Sequence, residues 1–348
     1  MLSIRIGGAG LSGLTAAINI AKAGFNVKVF EKNKNLFNGS EICCFRNYDL
    51  KIDAIEELRK CGIKIKPNGK VKRVVKFSPN EKAEEYSKKP IFYLVWRGDE
   101  NNSLEKQLYK QALDLGVEFV FGKAVKENEV DIVATGPKRT DIFAYGYIYK
   151  GIDIDKLYVV YNNLYSPKGY TYIVGLENKC MVCAVSFDKK NFKYIPVNFD
   201  LFLRKNEFLR KLVGKKKPIK VIKGFGNYDW IKTAENNGRL YVGEAGFFQD
   251  PSKGFGMRYA IITGYLAAKS IITGERYDNL WKQKIQEELK RDLKRRIEID
   301  KLTNKDYDNL LKNIKKINID EYVKVTRKER KHLDLFLPLY IWYWKLRR

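Results

Sequence analysis

The sequence predicts an α/β fold: a parallel, dinucleotide-binding sheet, interrupted by an inserted antiparallel sheet and followed by a helical extension. Three observations predict it. The chain opens with a strand–turn–helix–strand unit over residues 1–32. Aromatic, strand-like runs replace helical ones from Tyr145 onward. Glycine-rich sequence returns between Gly238 and Met257, and a long helical pattern follows it.

The first unit carries the most information. Residues 2–6 are a short apolar run that reads as a buried strand, and it enters Gly8-Ala9-Gly10-Leu11-Ser12-Gly13, a G-x-G-x-x-G turn. Residues 14–23 read as a helix stopped by Gly24, residues 27–30 as a second strand, and Glu31 ends that strand. This is the order of a Rossmann-like βαβ unit. Gly8 makes the tight turn, Gly10 lets backbone approach a pyrophosphate, and Gly13 lets helix and strand pack closely. The helix N-terminus offers free N–H groups and a positive dipole end. Glu31 is placed to accept from a ribose diol, which argues against a 2′-phosphate there. The motif alone does not separate FAD from NAD.

The rest follows in order. After a polar loop, 33–40, come Glu41-Ile42-Cys43-Cys44-Phe45 and a short helix, 53–61, with Ile55 and Leu58 on one face. Residues 70–77 and 91–96 read as strands around a charged loop, 78–89, and Arg97 follows the second. A helix capped by Ser103 spans 103–115 and closes at Gly116. Strands at 117–121 and 130–134 lead to Thr135-Gly136.

Strands at 158–161, 170–174 and 179–187 form the inserted sheet, and a helix covers 199–213. Lys215-Lys216-Lys217-Pro218 is a solvated turn. Residues 240–242 return to the parallel sheet with Gly243 and Glu244 at the strand's C-terminal end, where open α/β sheets bind ligands. Gly254 and Gly256 precede a helix at 258–273, a second close-approach site at a helix N-terminus. The expected division is 1–144 and 236–275 for the nucleotide domain, 145–235 for a β-rich substrate domain, and 276–348 for a helical basic region containing a helix at 280–299.

Composition bounds the function. A chain of 348 residues accommodates two domains, or one with an insertion. The net charge of +26 suits an anionic partner such as a membrane surface, nucleic acid or phosphorylated substrate. It equally suits a lysine-rich surface without such a partner. The single histidine, His332, removes Ser-His-Asp and Cys-His triads and most zinc sites, so a bound cofactor is expected to carry the chemistry. No metal site is expected. Cys180 and Cys183 have C-x-x-C spacing without a second pair, and Cys43-Cys44 read as small buried residues. The unpatterned cysteines and the lack of a signal-peptide pattern point to the cytoplasm.

Three blocks carry a family resemblance: Gly8-x-Gly10-x-x-Gly13 with Ala17, Gly24 and Glu31; Arg97 with the helix and Gly116-Val117 behind it; and 243–264, similar to G-D-A-A-G-x-x-x-P-x-x-G-x-G-(I/M). On these the chain resembles the FAD-dependent geranylgeranyl reductases, within the para-hydroxybenzoate hydroxylase-like flavoproteins. Glu244 replaces the usual Asp, 169–174 is a loose match to the family's aromatic F-P-K strand, and the chain is shorter than typical members.

The resemblance implies FAD held by Gly8, Gly10, Leu11, Ser12, Gly13, Glu31, Lys32, Arg97, Val125, Thr135, Gly136, Gly243, Glu244, Asp250, Gly254, Phe255, Gly256 and Met257. Glu31 would hold the adenosine ribose, Arg97 the pyrophosphate–ribityl region and Glu244 the ribityl chain. Asp250, Pro251 and the 254–257 turn would lie against the isoalloxazine. Read without the resemblance, Arg97 is a surface ion pair and Asp250 a turn-forming Asp-Pro. Tyr170, Tyr172 and Cys44 are the catalytic candidates over the flavin; the tyrosines equally suit an ordinary sheet core.

The implied activity is reduction of carbon–carbon double bonds in an isoprenoid lipid. With one dinucleotide motif, electrons come from transiently bound NAD(P)H, ferredoxin or another donor. A flavin monooxygenase and a non-catalytic flavin protein at a membrane surface are the alternatives; no nucleic-acid motif is present. Residues 333–344, apolar and aromatic between basic flanks, span about 18 Å as a helix, short of a bilayer core. They suit either a peripheral membrane contact or the protein's own core, with Pro338 interrupting the helix.

Overall fold

The computed structural model describes residues 3–36, 39–47 and 52–320. His332 and the aromatic segment 333–344 lie outside them. β1 (Ile4–Gly7) runs parallel to β2 (Val27–Glu31), with α1 (Leu11–Lys22) between them. The helix starts at Leu11 rather than at 14, because Gly10 is its N-cap and Leu11 already faces the core beside Leu14, Ala17 and Ile18. β3 (Ser40–Arg46) follows. Asp53 then caps α2 (Ala54–Lys60), accepting from the amides of Ile55 and Glu56.

β4 (Gly69–Val71), β5 (Arg73–Phe77), β6 (Lys82–Tyr86) and β7 (Phe92–Gly98) come next. The expected charged loop at 78–89 is therefore corrected: it contains β6. Ala83 and Glu85 point inward and Lys82 points out. The inward charge conceals the two-residue period, because β5 carries an inward lysine to meet it. β3 and β4 pair antiparallel with β7 in a three-stranded sheet.

Ser103 caps α3 (Leu104–Asp114), accepting from the Lys106 amide at 3.4 Å. β8 (Glu118–Phe121) and β9 (Ile132–Val133) complete this part. β10 (Ile142–Lys150), β11 (Leu157–Val160), β12 (Tyr170–Leu176) and β13 (Lys179–Ser186) build the second large sheet. The single helix expected at 199–213 is two, α4 (Ile195–Lys205) and α5 (Glu207–Val213). Asn206 ends the first and caps the second, accepting from the Leu209 amide at 2.9 Å.

The chain continues through β14 (Lys220–Gly226), β15 (Glu235–Asn236) and β16 (Arg239–Tyr241) to α6 (Met257–Thr273), α7 (Tyr277–Trp281) and α8 (Glu287–Ile299). A π-helical stretch, Lys282–Gln286, joins α7 to α8 where one continuous helix was expected. α9 (Asn304–Ile314) and β17 (Lys316–Asn318) end the description.

Two sheets position the site. The six-stranded sheet has the order β15-β16-β9-β1-β2-β8 and is parallel except at β15–β16. The eight-stranded sheet has the order β14-β10-β13-β12-β11-β5-β6-β17. It thus takes in β5, β6 and β17, from outside the stretch 145–235. Along β10 the alternation is clean. Phe143, Tyr145 and Tyr149 pack under Phe199 and Phe202 of α4, while Ile148 faces the other way, toward Trp96 and Phe92. One face of this sheet is therefore sealed by α4 and α5, and the other looks across at the nucleotide layer. Cys180 and Cys183 fall on opposite faces of β13, so they do not form a shared ligand pair. No helix among the described residues is long and apolar enough to cross a membrane.

Candidate functional site

The space between the two layers is one cavity of about 520 Å³. At its nucleotide end stands the glycine turn. Added Cβ atoms show what each glycine does: at Gly8 (φ +107°) one would meet the Ala134 carbonyl oxygen at 2.2 Å, and at Gly13 the Gly8 carbonyl oxygen at 2.0 Å. At Gly10 nothing lies within 4 Å. Gly8 and Gly13 hold the turn shut, while Gly10 opens onto the cavity with Leu11 and Ser12. The first-turn amides of α1 lack intrahelical acceptors and point the same way. Glu31 is buried behind them and accepts from the amides of Ala9 (3.0 Å) and Asn33 (2.9 Å).

The middle of the cavity gathers Arg97, Glu244, Gly136 and the turn Gly254-Phe255-Gly256-Met257. Arg97 is ion-paired with Glu105, whose other oxygen accepts from the Gly98 amide at 3.2 Å. Gln249 donates to Glu244 at 2.8 Å. Burial pushes the Glu244 carboxyl up to about 7, opposed by Arg97 and the Gln249 bond. Burial also raises Glu41, which lines the same wall. Glu41, Glu105 and Gln249 escape sequence reasoning, although Gln249 lies inside the 243–264 block.

Tyr170, Tyr172 and Cys44 all line the cavity. The tyrosine rings are 6.1 Å apart, and the Tyr170 hydroxyl donates to the Lys253 carbonyl at 2.7 Å. Burial raises both phenols well above their ordinary range and pushes the Cys44 thiol up to about 12. Burial thus favours the protonated form of all three, which suits packing, hydrogen bonding or donation of a proton rather than nucleophilic attack.

Other expected residues fall elsewhere. Asp250 is fully buried and turned from the cavity: it accepts from the Ser252 amide (2.8 Å) and hydroxyl (2.6 Å) and faces Arg46 at 3.7 Å. It is the turn-forming Asp-Pro of the plainer reading. Val125 packs on Phe30, Val130 and Val133, and Lys32 and Thr135 are exposed, all outside the cavity wall. Gly243 is buried behind the wall, its amide donating to the Thr263 hydroxyl at 2.9 Å.

The floor is the eight-stranded sheet. Gly224 and Gly226 of β14, Ala144, Val185, Tyr172, Leu157, Val159, Val74 and finally Glu85 of β6 line it. From β14 to β6 is six strand spacings, about 29 Å. Phe225, 55 % exposed, marks the mouth beside β14.

With this geometry in hand, comparison with known proteins adds the following. The NAD(P)-binding Rossmann-like domain family matches residues 6–40. A geranylgeranyl bacteriochlorophyll reductase-like protein from Thermoplasma acidophilum superposes with a TM-score of 0.75 at 18% identity, over 95% of this chain and 96% of that one. A flavin-dependent brominase gives 0.62 at 15% identity, over 98% and 97%. A 2-methyl-3-hydroxypyridine-5-carboxylic acid oxygenase gives 0.57 at 13% identity, over 86% and 92%. The chain therefore has a Rossmann-like nucleotide layer in a fold shared with flavin-dependent oxidoreductases of several chemistries.

Proposed function

We propose that the chain holds FAD and reduces carbon–carbon double bonds of a long isoprenoid chain. The observation that carries this reading is a continuous cavity joining the Gly10 turn to a sheet floor that is apolar from β14 to Val74 of β5, five strand spacings or about 24 Å. The residues present fit the cofactor. Gly10 leaves open the room a pyrophosphate takes, and Glu31 is buried at the end of β2, where a ribose diol is held. Glu244 with Gln249 offers acceptor and donor to a polyol, and Arg97 supplies positive charge between the two carboxylates Glu41 and Glu244. Backbone N–H groups at the start of α6, after Gly256, suit negative charge on a reduced ring. FAD bound there supplies hydride transfer. The chain's own part is to orient the substrate and exclude water: Val74, Leu157, Val159 and Val185 give the apolar floor, and Tyr170, Tyr172 and Cys44 narrow it. NAD(P)H or ferredoxin is the proposed electron source, and a lipid substrate the proposed reason for contact with a membrane surface.

Purified protein should show flavin absorption bands. After anaerobic reduction it should add two hydrogens per double bond to a geranylgeranyl chain, read by mass spectrometry. Colourless protein that takes up no added FAD sinks the cofactor reading. Oxygen-dependent insertion of a hydroxyl group, with double bonds left intact, replaces the reductase by a monooxygenase.

A further inference from the structure

α8 is rich in charge, yet one stripe of it faces inward. Glu288, Asp292 and Arg296 stand at i, i+4 and i+8 and share that face. The stripe backs the stretch 250–259, whose 254–257 turn lines the cavity. Glu288 accepts from Arg258 and from the Tyr259 hydroxyl, both at 2.9 Å. Asp292 faces Arg46 at 3.9 Å, and Arg46 faces Asp250 at 3.7 Å. Arg296, 2% exposed, reaches furthest and stands behind the cavity wall. One Nη donates to the Ser252 carbonyl at 3.2 Å, the other to the Lys168 carbonyl at 2.9 Å. Its ion-pair partner is Asp300, one helical turn on.

Those two carbonyls belong to two different turns. Ser252 leads into the 254–257 turn, and Lys168 leads into Tyr170 of β12. Lys168 holds a left-handed backbone (φ +55°), which is costly for a lysine. Its amide donates to Asn163 at 2.9 Å and its carbonyl accepts from Arg296, so both of its backbone polar groups are fixed. The Arg296 guanidinium also lies 4.2 Å from the centre of the Phe187 ring. The far edge of that ring is 3.8 Å from where a Cβ on Gly254 would stand. Beside it the Tyr170 hydroxyl donates to the Lys253 carbonyl at 2.7 Å. Guanidinium, ring and phenol thus join the turn before β12 to the turn before α6.

We propose that Arg296 is a positioning residue, which sets the spacing between the 254–257 turn and the strand that carries Tyr170 and Tyr172. It thereby fixes how flavin ring and substrate are held between them. The proposal rests on the flavin reading. It gives α8 a part in the site, as the plate behind the flavin turn. Arginine suits the task because its planar fork serves two carbonyls at once, which a lysine ammonium on a flexible stem does not.

The test uses the full chain with Arg296→Met, Arg296→Lys and Leu289→Ala, the last removing core packing from the same helix. Hydrogen exchange of the FAD-free proteins is read first. Arg296→Met should speed exchange at 168–170 and 252–256 about tenfold or more and leave α1 unchanged. FAD is then added. The pyrophosphate end is untouched, so FAD affinity should change by less than about threefold. The visible circular dichroism of the bound flavin should change, and kcat for a geranylgeranyl chain should fall about tenfold or more, with KM changing far less. Arg296→Lys, holding one carbonyl at a time, should restore part of the protection and of the spectrum. Leu289→Ala should lower stability and leave the flavin spectrum as it is. Unchanged exchange in both turns of Arg296→Met overturns the proposal, whatever the colour of the protein. So does a change in the flavin spectrum that Leu289→Ala reproduces, since Arg296 would then serve stability alone. If Arg296→Met does not fold, Arg296→Lys against wild type decides by the same two readouts. Wild-type protein that takes up no FAD sinks the flavin reading, while faster exchange confined to the two turns still supports the tie.

Discussion

The two ends of the cavity are built from different materials. The nucleotide end is backbone: Gly8 and Gly13 close a turn that admits no Cβ, and Gly10 leaves a surface of amides. The β5–β6 end is side chain: Lys76, Glu85 and Lys253 are brought together by sheet pairing and by a loop from much later in the chain. A site made of backbone accepts a ligand every such fold can hold. A site made of side chains can change its ligand by changing one residue, and here it sets buried charge against folding stability. Substrate identity should therefore reside at the second end, and anchoring of the cofactor at the first.

The sharpest way to break this comparison is Lys76→Met. It leaves Glu85 buried without its ion-pair partner, and the expected loss is about 3–5 kcal/mol in urea unfolding. The double variant Lys76→Met/Glu85→Leu should recover most of that loss, since hydrocarbon then replaces both charges. If the double variant is no more stable than the single one, the pair is not what the fold depends on there. The glycine end should respond on a smaller scale and in two ways. Gly13→Ala forces a Cβ onto the Gly8 carbonyl and should cost about 1–3 kcal/mol. Gly10→Val meets open space from an extended backbone (φ −74°, ψ −177°), so the cost to stability should stay near the ~1 kcal/mol of a poorer N-cap while FAD binding is lost. Thermal melts of the FAD-free proteins beside flavin absorbance separate these outcomes.

The same contrast explains what could be read from sequence. The βαβ unit is local: its strands, turn and acid lie within residues 4–31, and each glycine has a steric reason to be where it is. The block after β16 is legible for the same reason, and it delivered Glu244 and the 254–257 turn to the cavity wall. Lys76 and Glu85 were hidden because charge normally signals solvent. Only the alternation of Ala83 with Glu85, and of Val74 with Lys76, marks them as inward. Asp250 was misplaced because a motif gives the residue but not the direction of its side chain. Asp250 turns Oδ1 to its own turn and Oδ2 toward Arg46.

A pH-dependent effect of about the same small size tests the middle of the cavity, where backbone and side chains share the work. Glu244 carries a carboxyl raised by burial to about 7. A carboxyl whose folded pKa lies above its unfolded value of about 4.3 binds its proton more tightly when folded. Its contribution to stability is complete below that unfolded value and is lost as pH rises toward 7. FAD-free protein should therefore lose stability across this window, and Glu244→Gln, neutral throughout, should lose less. A shift of this size in a closed site would be worth roughly 3 kcal/mol, but water enters an open cavity and Arg97 offsets part of the penalty. The expected difference between the two proteins is on the order of 1 kcal/mol over that range. Taking the difference cancels the other raised carboxyls, Glu41 and Asp292, which both proteins share. Bound FAD should reduce the slope if its polyol donates to Glu244, because a hydrogen bond to the charged form lowers the pKa again. Identical slopes for wild type and Glu244→Gln would mean that Glu244 is solvated in the FAD-free protein. It would then have no strain for a polyol to relieve, and recognition of the cofactor in the middle of the cavity would rest on Arg97, Gln249 and the 254–257 backbone.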